Sequence, residues 1–392
     1  MKMTHRAALA LLIIAAAVVL SACSALARKC PPAQPPAPGV HYDHARWSQV
    51  MGWETDRVLE AWPAFLHSCK AIGARAQWVS VCAAAQEIQP QTSQDVRAFF
   101  ERHFEPYAIS SKRGRHRESS GLITGYYEPL LYGARSPTSQ FNIPLYSPPP
   151  DLLTVDLTSL YPELKGKPVR GRLDGNKVVP YYSRGELVSD SRPRGNEIVW
   201  VDNALDAFLL QVQGSGRVQL PDGETIRLQY ADQNGQPYHS IGRYLVERGE
   251  LTQEQATLPG IRAWLGAHSD RIQEVLNANP SVVFFREGPI ENPLYGPKGS
   301  LGVPLTAGRS IAVDPTSVPL GAPVFLATTF PASELALQRL VMAQDTGGAI
   351  RGAVRADFFW GLGPDAAKEA GKMRESGRMW LLWPKNVALT AE

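Results

Sequence analysis

The chain of 392 residues is long enough to form two or three domains with hydrophobic cores. Hydrophobic residues make up 44% of the sequence and charged residues 20%, which is ordinary for a globular protein. The formal net charge of +3 excludes the strongly basic composition typical of nucleic-acid-binding proteins, so no nucleic-acid partner is expected. The 33 glycines and 32 prolines predict many turns and favour a β-rich architecture over a helical bundle.

Residues 1–22 have the pattern of a segment that is removed after export. Two basic residues precede an apolar run of 14 residues, Ala7–Leu20, which is shorter than the roughly 20 residues that span a bilayer. The run ends in Leu20-Ser21-Ala22-Cys23, which is similar to the lipobox of bacterial lipoproteins. This similarity implies cleavage before Cys23, whereas an uncleaved anchor or an ordinary secretory signal is the alternative.

Acylation of Cys23 is the modification that the lipobox implies, and several acyl chains hold a protein firmly on a membrane. Ser24, rather than Asp, follows this cysteine, which indicates the periplasmic side of the outer membrane. Loss of residues 1–22 removes two basic residues and no acidic ones, so the net charge becomes +1. Residues 23–44 include a proline-rich stretch that predicts a stiff tether between the anchor and the folded part.

Of the four cysteines, Cys30, Cys69 and Cys82 remain if Cys23 is acylated. Cys69 and Cys82 fall in neighbouring segments with helical patterns. They therefore either form a disulfide in an oxidising compartment or remain as two buried thiols. A strain-free disulfide across such a short loop contributes about 3 kcal/mol of stability. The pattern assigns no partner to Cys30.

Residues 45 to about 108 have a helical pattern. In the first segment, apolar side chains recur on one face at the spacing of an α-helix: Val58, Trp62, Phe65, Leu66 and Cys69. Trp78 and Cys82 repeat this spacing in a second segment. Thr92 and Asp95 have the spacing of a capping box and predict the start of a third helix.

From about residue 119 the pattern changes to short extended runs between turn residues, which predicts a β-rich region. The central runs predicted as strands are Leu122–Tyr127, Lys177–Ser183, Ile198–Trp200, Phe208–Gln213 and Thr225–Gln229. Helices are predicted at Ser240–Arg248, from Pro259 through Trp264, and from Ser269 to Asn279. The later predicted strands are Ser281–Phe285, Ser310–Val313, Pro323–Thr328, Arg339–Ala343 and Arg378–Trp383. The basic run Lys112–Arg117 is predicted to be a solvated loop.

Several common catalytic patterns are missing from the sequence. It contains no glycine-rich phosphate loop, no His-Glu-x-x-His motif and no Gly-x-Ser-x-Gly motif. The eight histidines are scattered, and the thiols lack a catalytic setting. We therefore expect neither a metal ion nor another cofactor.

Carboxylates are stronger candidates, because three aspartates adjoin apolar or aromatic runs within 44 positions: Asp314, Asp345 and Asp357. Each alone is equally typical of an ordinary turn or helix cap. Together they predict an acidic cleft, in which neighbouring carboxylates raise one another's pKa and keep one protonated near neutral pH. A protonated carboxyl is what a departing glycosidic oxygen requires.

A second group of polar and aromatic residues lies in the middle of the chain. Thr124 and Tyr126 precede Glu128, and Gln211 and Gln213 are predicted to lie on one face of a strand. Amides bind sugar hydroxyls and N-acetyl groups, and aromatic rings stack on pyranose rings. Core tyrosines and a polar edge strand explain the same residues without a ligand.

Six short motifs follow one another in order: Gly125-Tyr126-Tyr127, Gln211–Gly216, Tyr238–Gly242, Asn279–Phe285, Val318–Gly321 and Asp345–Ile350. As an ordered set they resemble the membrane-bound lytic murein transglycosylase A family. The resemblance covers residues 119–384, and residues 45–110 share only a general helical character. Each motif alone is weak, but the set is highly specific.

The resemblance implies a mainly β fold with a helical N-terminal segment. A double-psi β-barrel domain, residues 45–125 and 278–392 with the N-terminal helices, would be interrupted by a smaller inserted β domain. That insert, residues 126–277, would bind substrate, and the substrate groove would lie between the two domains.

The resemblance also implies that Asp345 is the catalytic residue and that Asp357 and Asp314 support it. The implied saccharide contacts are Thr124, Tyr126, Gln211, Gln213, Ser215 and Tyr238. Asp345 would protonate the oxygen between N-acetylmuramic acid and N-acetylglucosamine. It would then take the proton of the C6 hydroxyl that attacks C1, which leaves a 1,6-anhydro end. Glu128 is a nearby carboxylate that this mechanism does not require.

Peptidoglycan glycan strands are the implied partner, other cell-wall enzymes are further candidates, and a monomer is expected. Three other functions are compatible with the residues. A hydrolytic glycosidase would pair Asp345 with Asp314 or Asp357. An aspartic protease would need two Asp-Thr-Gly motifs, whereas this chain has one and carries Gly348 where such enzymes favour Ser or Ala. A protein that only binds peptidoglycan would need no acid.

Overall fold

A computed structural model describes residues 39–113, 116–164, 169–189 and 194–389 of the chain. The predicted signal segment, Cys23, Cys30 and most of the predicted tether lie outside these residues. All the elements described below belong to the compact unit Val40–Glu392. No helix within the described ranges has the length and hydropathy needed to cross a bilayer.

The strands are numbered in chain order: β1 Val40–His44, β2 Phe104–Arg113, β3 His116–Glu118, β4 Gly121–Glu128, β5 Leu130–Ala134, β6 Ile143–Tyr146, β7 Leu153–Thr154, β8 Arg170–Asp174, β9 Lys177–Pro180, β10 Glu197–Val201, β11 Ser215–Gln219, β12 Thr225–Gln233, β13 Val283–Gly288, β14 Ser310–Val313, β15 Pro323–Thr329, β16 Ala336–Asp345, β17 Ala356–Leu362 and β18 Arg374–Pro384. The α-helices are α1 Trp62–Ile72, α2 Val79–Gln86, α3 Ser93–His103, α4 Arg184–Ser189, α5 Ala204–Gln213, α6 Ile241–Glu247, α7 Leu258–Ala267, α8 Ile272–Asn277 and α9 Gly363–Ala370. Short 3₁₀ turns occur at Trp47–Gln49, Val58–Ala61, Pro162–Leu164 and Ser269–Arg271.

The larger sheet has the strand order β1-β2-β18-β15-β16-β14-β17-β4, and β3 pairs with β2. Because β4 also pairs with β18, six strands from β18 round to β4 form a ring of hydrogen-bonded neighbours. Strand β14 is buried at every position, and β15 at all positions but its last. Their continuous apolar runs suit strands that are covered on both faces.

One hydrophobic core joins the ring strands to helices α1, α2 and α3. In this core, Phe65 of α1 contacts the rings of Phe99, Phe100 and Phe104 at centroid distances of 5.9, 5.1 and 5.9 Å. Such aromatic pairs add stability beyond the area that they bury. The N-terminal helices are therefore part of the same packed body as the ring.

Two local predictions for the helical segment, the capping box and the disulfide, agree with the structure. The Thr92 side chain accepts a hydrogen bond from the Asp95 amide, and the Asp95 side chain accepts one from the Thr92 amide, which completes the capping box. A disulfide joins Cys69 of α1 to Cys82 of α2. The two cysteines are 13 positions apart in the sequence, and the disulfide links the two helices covalently.

A second sheet has the order β13-β12-β11-β5-β10-β6, and β7, β8 and β9 form a small third sheet. The second sheet has its own apolar core, and another lies among helices α5 to α8. The mainly β architecture with a helical N-terminal segment is confirmed.

The structure differs from the prediction at both ends of the N-terminal helical region. Helix α3 ends at His103, and Phe104–Arg113 is a strand rather than a helix, because Pro106 cannot donate a helical hydrogen bond and its predecessor avoids helical geometry. Val40–His44, which the sequence assigned to the tether, pairs antiparallel with this strand. The predicted basic loop therefore consists partly of strand, since β2 ends at Arg113 and β3 begins at His116.

The prediction of a strand at Phe208–Gln213 is wrong, since these residues belong to helix α5. Asn203 caps the helix by accepting a hydrogen bond from the Asp206 amide, and Gly214 ends it with a φ of 79°. The alternation Gln-Val-Gln has the period of a strand, which misled the prediction. Gln211 and Gln213 consequently point in different directions around a helix rather than along one strand face.

Candidate active site

Asp345 and Asp357 lie on the two strands that flank β14. Ala312 of β14 is in register with Asp345 of β16 on one side and with Asp357 of β17 on the other. Since neighbouring strands are about 4.8 Å apart, the two backbone positions are separated by roughly 10 Å. The negative charge of Asp345 helps to raise the pKa of Asp357, which indicates that the carboxylates share one environment.

Strand β4 adds two hydroxyl groups to the same place. Thr124 is in register with Asp357 and donates from Oγ1 to its Oδ1 at 2.5 Å. Tyr126, two residues along, points to the same face of the strand and donates from its hydroxyl to Asp345 Oδ2 at 3.1 Å. Burial raises the pKa of Tyr126 well above its usual value, so this hydroxyl keeps its proton.

The other oxygen of Asp345 is held by three donors. The amide and the hydroxyl of Ser300 each donate to Oδ1 at 2.9 Å, and the amide of Thr346 donates to it at 2.9 Å. The Ser300 hydroxyl also lies 2.7 Å from Thr346 Oγ1. Three donors on Oδ1 leave Oδ2 as the oxygen on which a proton can reside.

Gly299 allows the Ser300 loop to approach this closely. A Cβ at position 299 would lie 2.5 Å from the carbonyl oxygen of Gln344 and 3.2 Å from Cβ of Asp345. Only glycine avoids this contact without moving the backbone. The sequence prediction missed both Ser300 and Gly299, because the loop lies about 45 positions from Asp345 and has no distinguishing pattern.

Both carboxyl groups are shifted toward the protonated form. Burial raises the pKa of Asp345 above its usual value, although the hydrogen bonds from Ser300, Thr346 and Tyr126 act in the opposite direction. Burial also raises the pKa of Asp357 to about 6, against the lowering effect of the Thr124 hydrogen bond. A carboxyl whose pKa is raised in this way can act as a proton donor near neutral pH.

Asp314 does not join this pair directly. Its Oδ1 accepts from the amide and hydroxyl of Thr316 at 3.1 and 2.7 Å, and its Oδ2 accepts from the amide of Gly352 at 2.8 Å. No hydrogen bond within the described part of the chain links Asp314 to Asp345 or Asp357. Asp314 instead fixes the end of the loop that follows Asp345.

A buried amide supports the end of strand β16 from behind. Gln344 accepts from the Ser310 hydroxyl at 2.6 Å and donates to the Ala64 carbonyl and the Ser68 hydroxyl at 2.8 and 3.0 Å. These bonds attach the residue before Asp345 to helix α1. No local pattern predicts this contact, because it joins residues about 280 positions apart.

The predicted saccharide contacts from the second region are already partly engaged by protein groups. Gln213 Oε1 accepts from the Tyr127 amide at 3.1 Å, and Gln211 Oε1 accepts from Arg184 at 2.8 Å. Ser215 is half-buried at the start of β11, and the Tyr238 side chain is exposed at 49%. Gln213 therefore lies next to Tyr127, one residue from the tyrosine that contacts Asp345.

Glu128 is not placed to act as a second acid. Its side chain is fully buried, with Oε1 accepting from Arg227 at 2.8 Å and Oε2 accepting from Arg217 at 3.1 Å. Both arginines also donate to the Tyr295 carbonyl. These contacts make Glu128 a link between β4 and the second sheet.

Comparison with known proteins identifies the family. The model described as "MltA specific insert domain" matches residues 122–286, and the "3D domain" model matches residues 309–383. The membrane-bound lytic murein transglycosylase A of Vibrio cholerae serotype O1 is 31% identical over 283 residues, which cover 70% of this chain and 68% of that protein. The chain belongs to the membrane-bound lytic murein transglycosylase A family. All three aspartates of this family member fall within its matched 3D domain.

Solved structures of lytic murein transglycosylase A and a related enzyme have the same fold. MltA from Neisseria gonorrhoeae superposes with a TM-score of 0.79 and 34% identity, over 93% of this chain and 98% of that chain. The lytic transglycosylase LtgG of Burkholderia pseudomallei superposes with a TM-score of 0.61 and 42% identity, over 90% and 99% of the chains. The similarity thus extends across both sheets of this transglycosylase A family member.

Proposed function

We propose that this enzyme is a peptidoglycan lytic transglycosylase that cleaves the β-1,4 bond between N-acetylmuramic acid and N-acetylglucosamine and leaves 1,6-anhydromuramic ends. The observation that carries the proposal is the environment of Asp345. This carboxyl is half-buried, desolvation raises its pKa, and three donors bind one oxygen while a single tyrosine hydroxyl binds the other. Peptidoglycan glycan strands are therefore its substrate.

Asp345 acts first as an acid. Protonated on Oδ2, it donates this proton to the glycosidic oxygen as the bond between C1 and that oxygen breaks. The three donors on Oδ1 then stabilise the carboxylate that forms. Tyr126 keeps Oδ2 in place on the side from which the proton leaves.

Asp345 acts next as a base. Its carboxylate takes the proton of the C6 hydroxyl of the same muramic acid, and that oxygen forms the new bond to C1. The acid is thereby restored, and no water is consumed. A nucleophile within the same sugar gains effective molarity, so a second carboxylate is unnecessary.

Asp357 and Asp314 support this reaction in different ways. Asp357 adds negative charge near Asp345 and helps to hold Thr124, which we assign with Tyr126, Gln211, Gln213, Ser215 and Tyr238 to saccharide binding. Asp314 holds the loop after Asp345 through Gly352. A hydrolytic glycosidase with Asp357 as base is the second candidate, since the pKa of Asp357 is raised to about 6.

We further assign the ring of six strands to a double-psi β-barrel interrupted by an inserted domain, with the substrate groove between them. We place this insert at residues 126–277, and the pairing of β13 with β12 supports an extension of its end to about Gly288. The family relatives are named membrane-bound. An acyl anchor on Cys23, on the periplasmic side of the outer membrane, would supply this attachment for a monomer that meets other cell-wall enzymes there.

Mass spectrometry of muropeptides tests the function. Purified sacculi are digested with residues 31–392, with the Asp345→Asn variant, and with Asp174→Asn, which changes an exposed aspartate on β8. We expect ends lighter by one water from the parent and from Asp174→Asn. Asp345→Asn should lower turnover by about 10³-fold, in the range of lost acid–base catalysis.

Other products would contradict the proposal. Reducing ends would mean that water is the nucleophile and that a second carboxylate works with Asp345. Retained turnover by Asp345→Asn would remove this residue from the acid–base role. No products from the parent would favour a protein that only binds peptidoglycan.

A further inference from the structure

Arg184 is a buried cation without a carboxylate partner among the described residues. Its side chain is 7% exposed, and its donors reach carbonyl-type oxygens only. Nε donates to the Asn279 carbonyl at 3.0 Å, and Nη2 donates to the Ser281 carbonyl at 2.5 Å and to Gln211 Oε1 at 2.8 Å. The guanidinium also lies 4.8 Å from the centre of the Phe208 ring. Burial of a cation without an anion is costly, so this arrangement calls for a functional reason.

The contact with Arg184 determines the orientation of the Gln211 amide. A guanidinium has donors and no acceptor, so the atom of Gln211 that faces it must be the oxygen. The amide nitrogen is thereby turned away, and both of its hydrogens remain free to donate. Gln211 is partly exposed, and its Nε2 makes no hydrogen bond with any described residue.

The same network holds neighbouring parts of the candidate site. The side-chain oxygen of Asn279 accepts from the amides of His239 and Ser281 at 3.1 and 3.2 Å, while its carbonyl accepts from Arg184. His239 follows the exposed Tyr238. Arg184 therefore connects the glutamine to the backbone beside another predicted saccharide contact.

Gln213 shows the same polarity through a different partner. Its oxygen accepts from the backbone amide of Tyr127, which likewise can only donate. In each of the two glutamines at the end of α5, the oxygen thus faces a protein donor and the amide nitrogen is directed away from it. The ligand group that matches such an amide nitrogen is an acceptor, such as the carbonyl of an N-acetyl group, and not the ammonium of a de-acetylated amino sugar.

We propose that Arg184 is a specificity-determining residue that positions Gln211 as a hydrogen-bond donor toward the N-acetyl carbonyl of the glycan. This inference rests on the proposed function and adds the sugar substituent that the site recognises. De-acetylation replaces the N-acetyl carbonyl of the sugar by an ammonium group, which can only donate. This ammonium would face the NH2 group of Gln211, another donor, with the Arg184 guanidinium behind it. Such a sugar is therefore rejected.

Binding to an inactive form separates recognition from catalysis. The detergent-solubilised full-length chain with Asp345→Asn is titrated with a hexamer of N-acetylglucosamine and with a hexamer of glucosamine, and the ratio of the dissociation constants is compared. We expect the parent to favour the acetylated hexamer. Arg184→Met should reduce this preference about tenfold, since the loss of one hydrogen bond of this kind has roughly that effect.

Gln211→Glu keeps the shape of the side chain but offers only acceptors. It also gives the buried guanidinium an anionic partner, so the variant should fold even if Arg184→Met does not. We expect its preference to shift toward the glucosamine hexamer. Gln273→Glu, which makes the same change at an exposed position on α8, should leave the ratio unchanged.

Three results would overturn the proposal. One is a parent with equal affinity for both hexamers, and another is Gln211→Glu with the parent's ratio. The third is a folded Arg184→Met variant with the parent's ratio. Muropeptide analysis of the active chain is independent of these titrations, so formation of anhydro ends would leave the proposed function intact in each case.

Discussion

The larger sheet and the second sheet hold their functional polar groups by different means. Around Asp345, the partners are backbone amides and hydroxyls, and the neighbouring strand β14 is buried at every position. In the second region, ion pairs and a buried cation hold the polar groups in position. Glu128 lies between two arginines, and Arg184 is buried against carbonyl oxygens. The first arrangement keeps the Asp345 carboxyl protonatable, because no cation among the described residues donates a hydrogen bond to it. The second fixes positions through charge–charge and charge–dipole contacts.

The largest effect is expected from breaking the charged network of the second region. Arg227→Met removes a guanidinium from a fully buried carboxylate and should lower the free energy of unfolding by about 3 to 5 kcal/mol. Urea unfolding followed by tryptophan fluorescence measures this change. Arg243→Met, at an exposed pair with Glu247 on α6, should cost less than about 1 kcal/mol. Equal losses in the two variants would remove the contrast between buried and exposed pairs.

The next effect concerns pH and a carboxyl group of the larger sheet. The pKa of Asp357 rises from its ordinary value of 3.8 to about 6 on folding. The folded state therefore binds the proton more tightly, and stability falls as pH rises from about 4 to 6, by about 3 kcal/mol at most. Asp357→Asn should flatten this part of the curve and be more stable than the parent at pH 7.5. A parallel pH dependence in parent and variant, measured by urea unfolding, would show that Asp357 is not the group responsible.

A smaller effect should follow from displacing the Ser300 loop. Gly299→Ala places a methyl group against the Gln344 carbonyl, which pushes both Ser300 donors away from Asp345. We expect turnover of sacculi to fall about tenfold, because misplaced electrostatic partners typically cost this much or more. Gly266→Ala on α7 meets no atom within 4 Å and serves as the matched control. Unchanged turnover in Gly299→Ala would mean that the loop does not position the acid.

The smallest effect is expected from removing one hydroxyl. Ser300→Ala retains the hydrogen bond from the backbone amide to Asp345. It loses the hydrogen bond from the side-chain hydroxyl, which lowers the pKa of the carboxyl. The pKa of Asp345 should therefore rise further, and the alkaline limb of the pH–rate profile should shift to higher pH while the maximum rate falls about threefold. Ser159→Ala, at an exposed position, should leave the profile unchanged. A shift to lower pH would contradict the assigned role of the hydroxyl.

Predictions from the sequence succeeded where a local pattern determines the structure. The apolar run before Asp345 and the capping box of α3 were both read from neighbouring residues. The strand prediction at Phe208–Gln213 failed although two local signals for a helix were present, the Asn203 cap and Gly214. Ser300 and Arg184 could not be found in this way, because their partners lie far along the chain and only the folded backbone brings them together.

The spacing of two functional residues on strand β4 limits how this enzyme can evolve or be engineered. Tyr126, which touches the acid, and Glu128, which binds the arginines of the second sheet, are two residues apart on one strand. Because side chains alternate between the two faces of a strand, insertion or deletion of a single residue between Tyr126 and Glu128 would turn them to opposite faces. No flexible connection exists between them that could absorb such a change. A substrate-binding insert with a different sugar preference can thus replace the present one only if the two-residue spacing between Tyr126 and Glu128 is kept where the chain enters the insert.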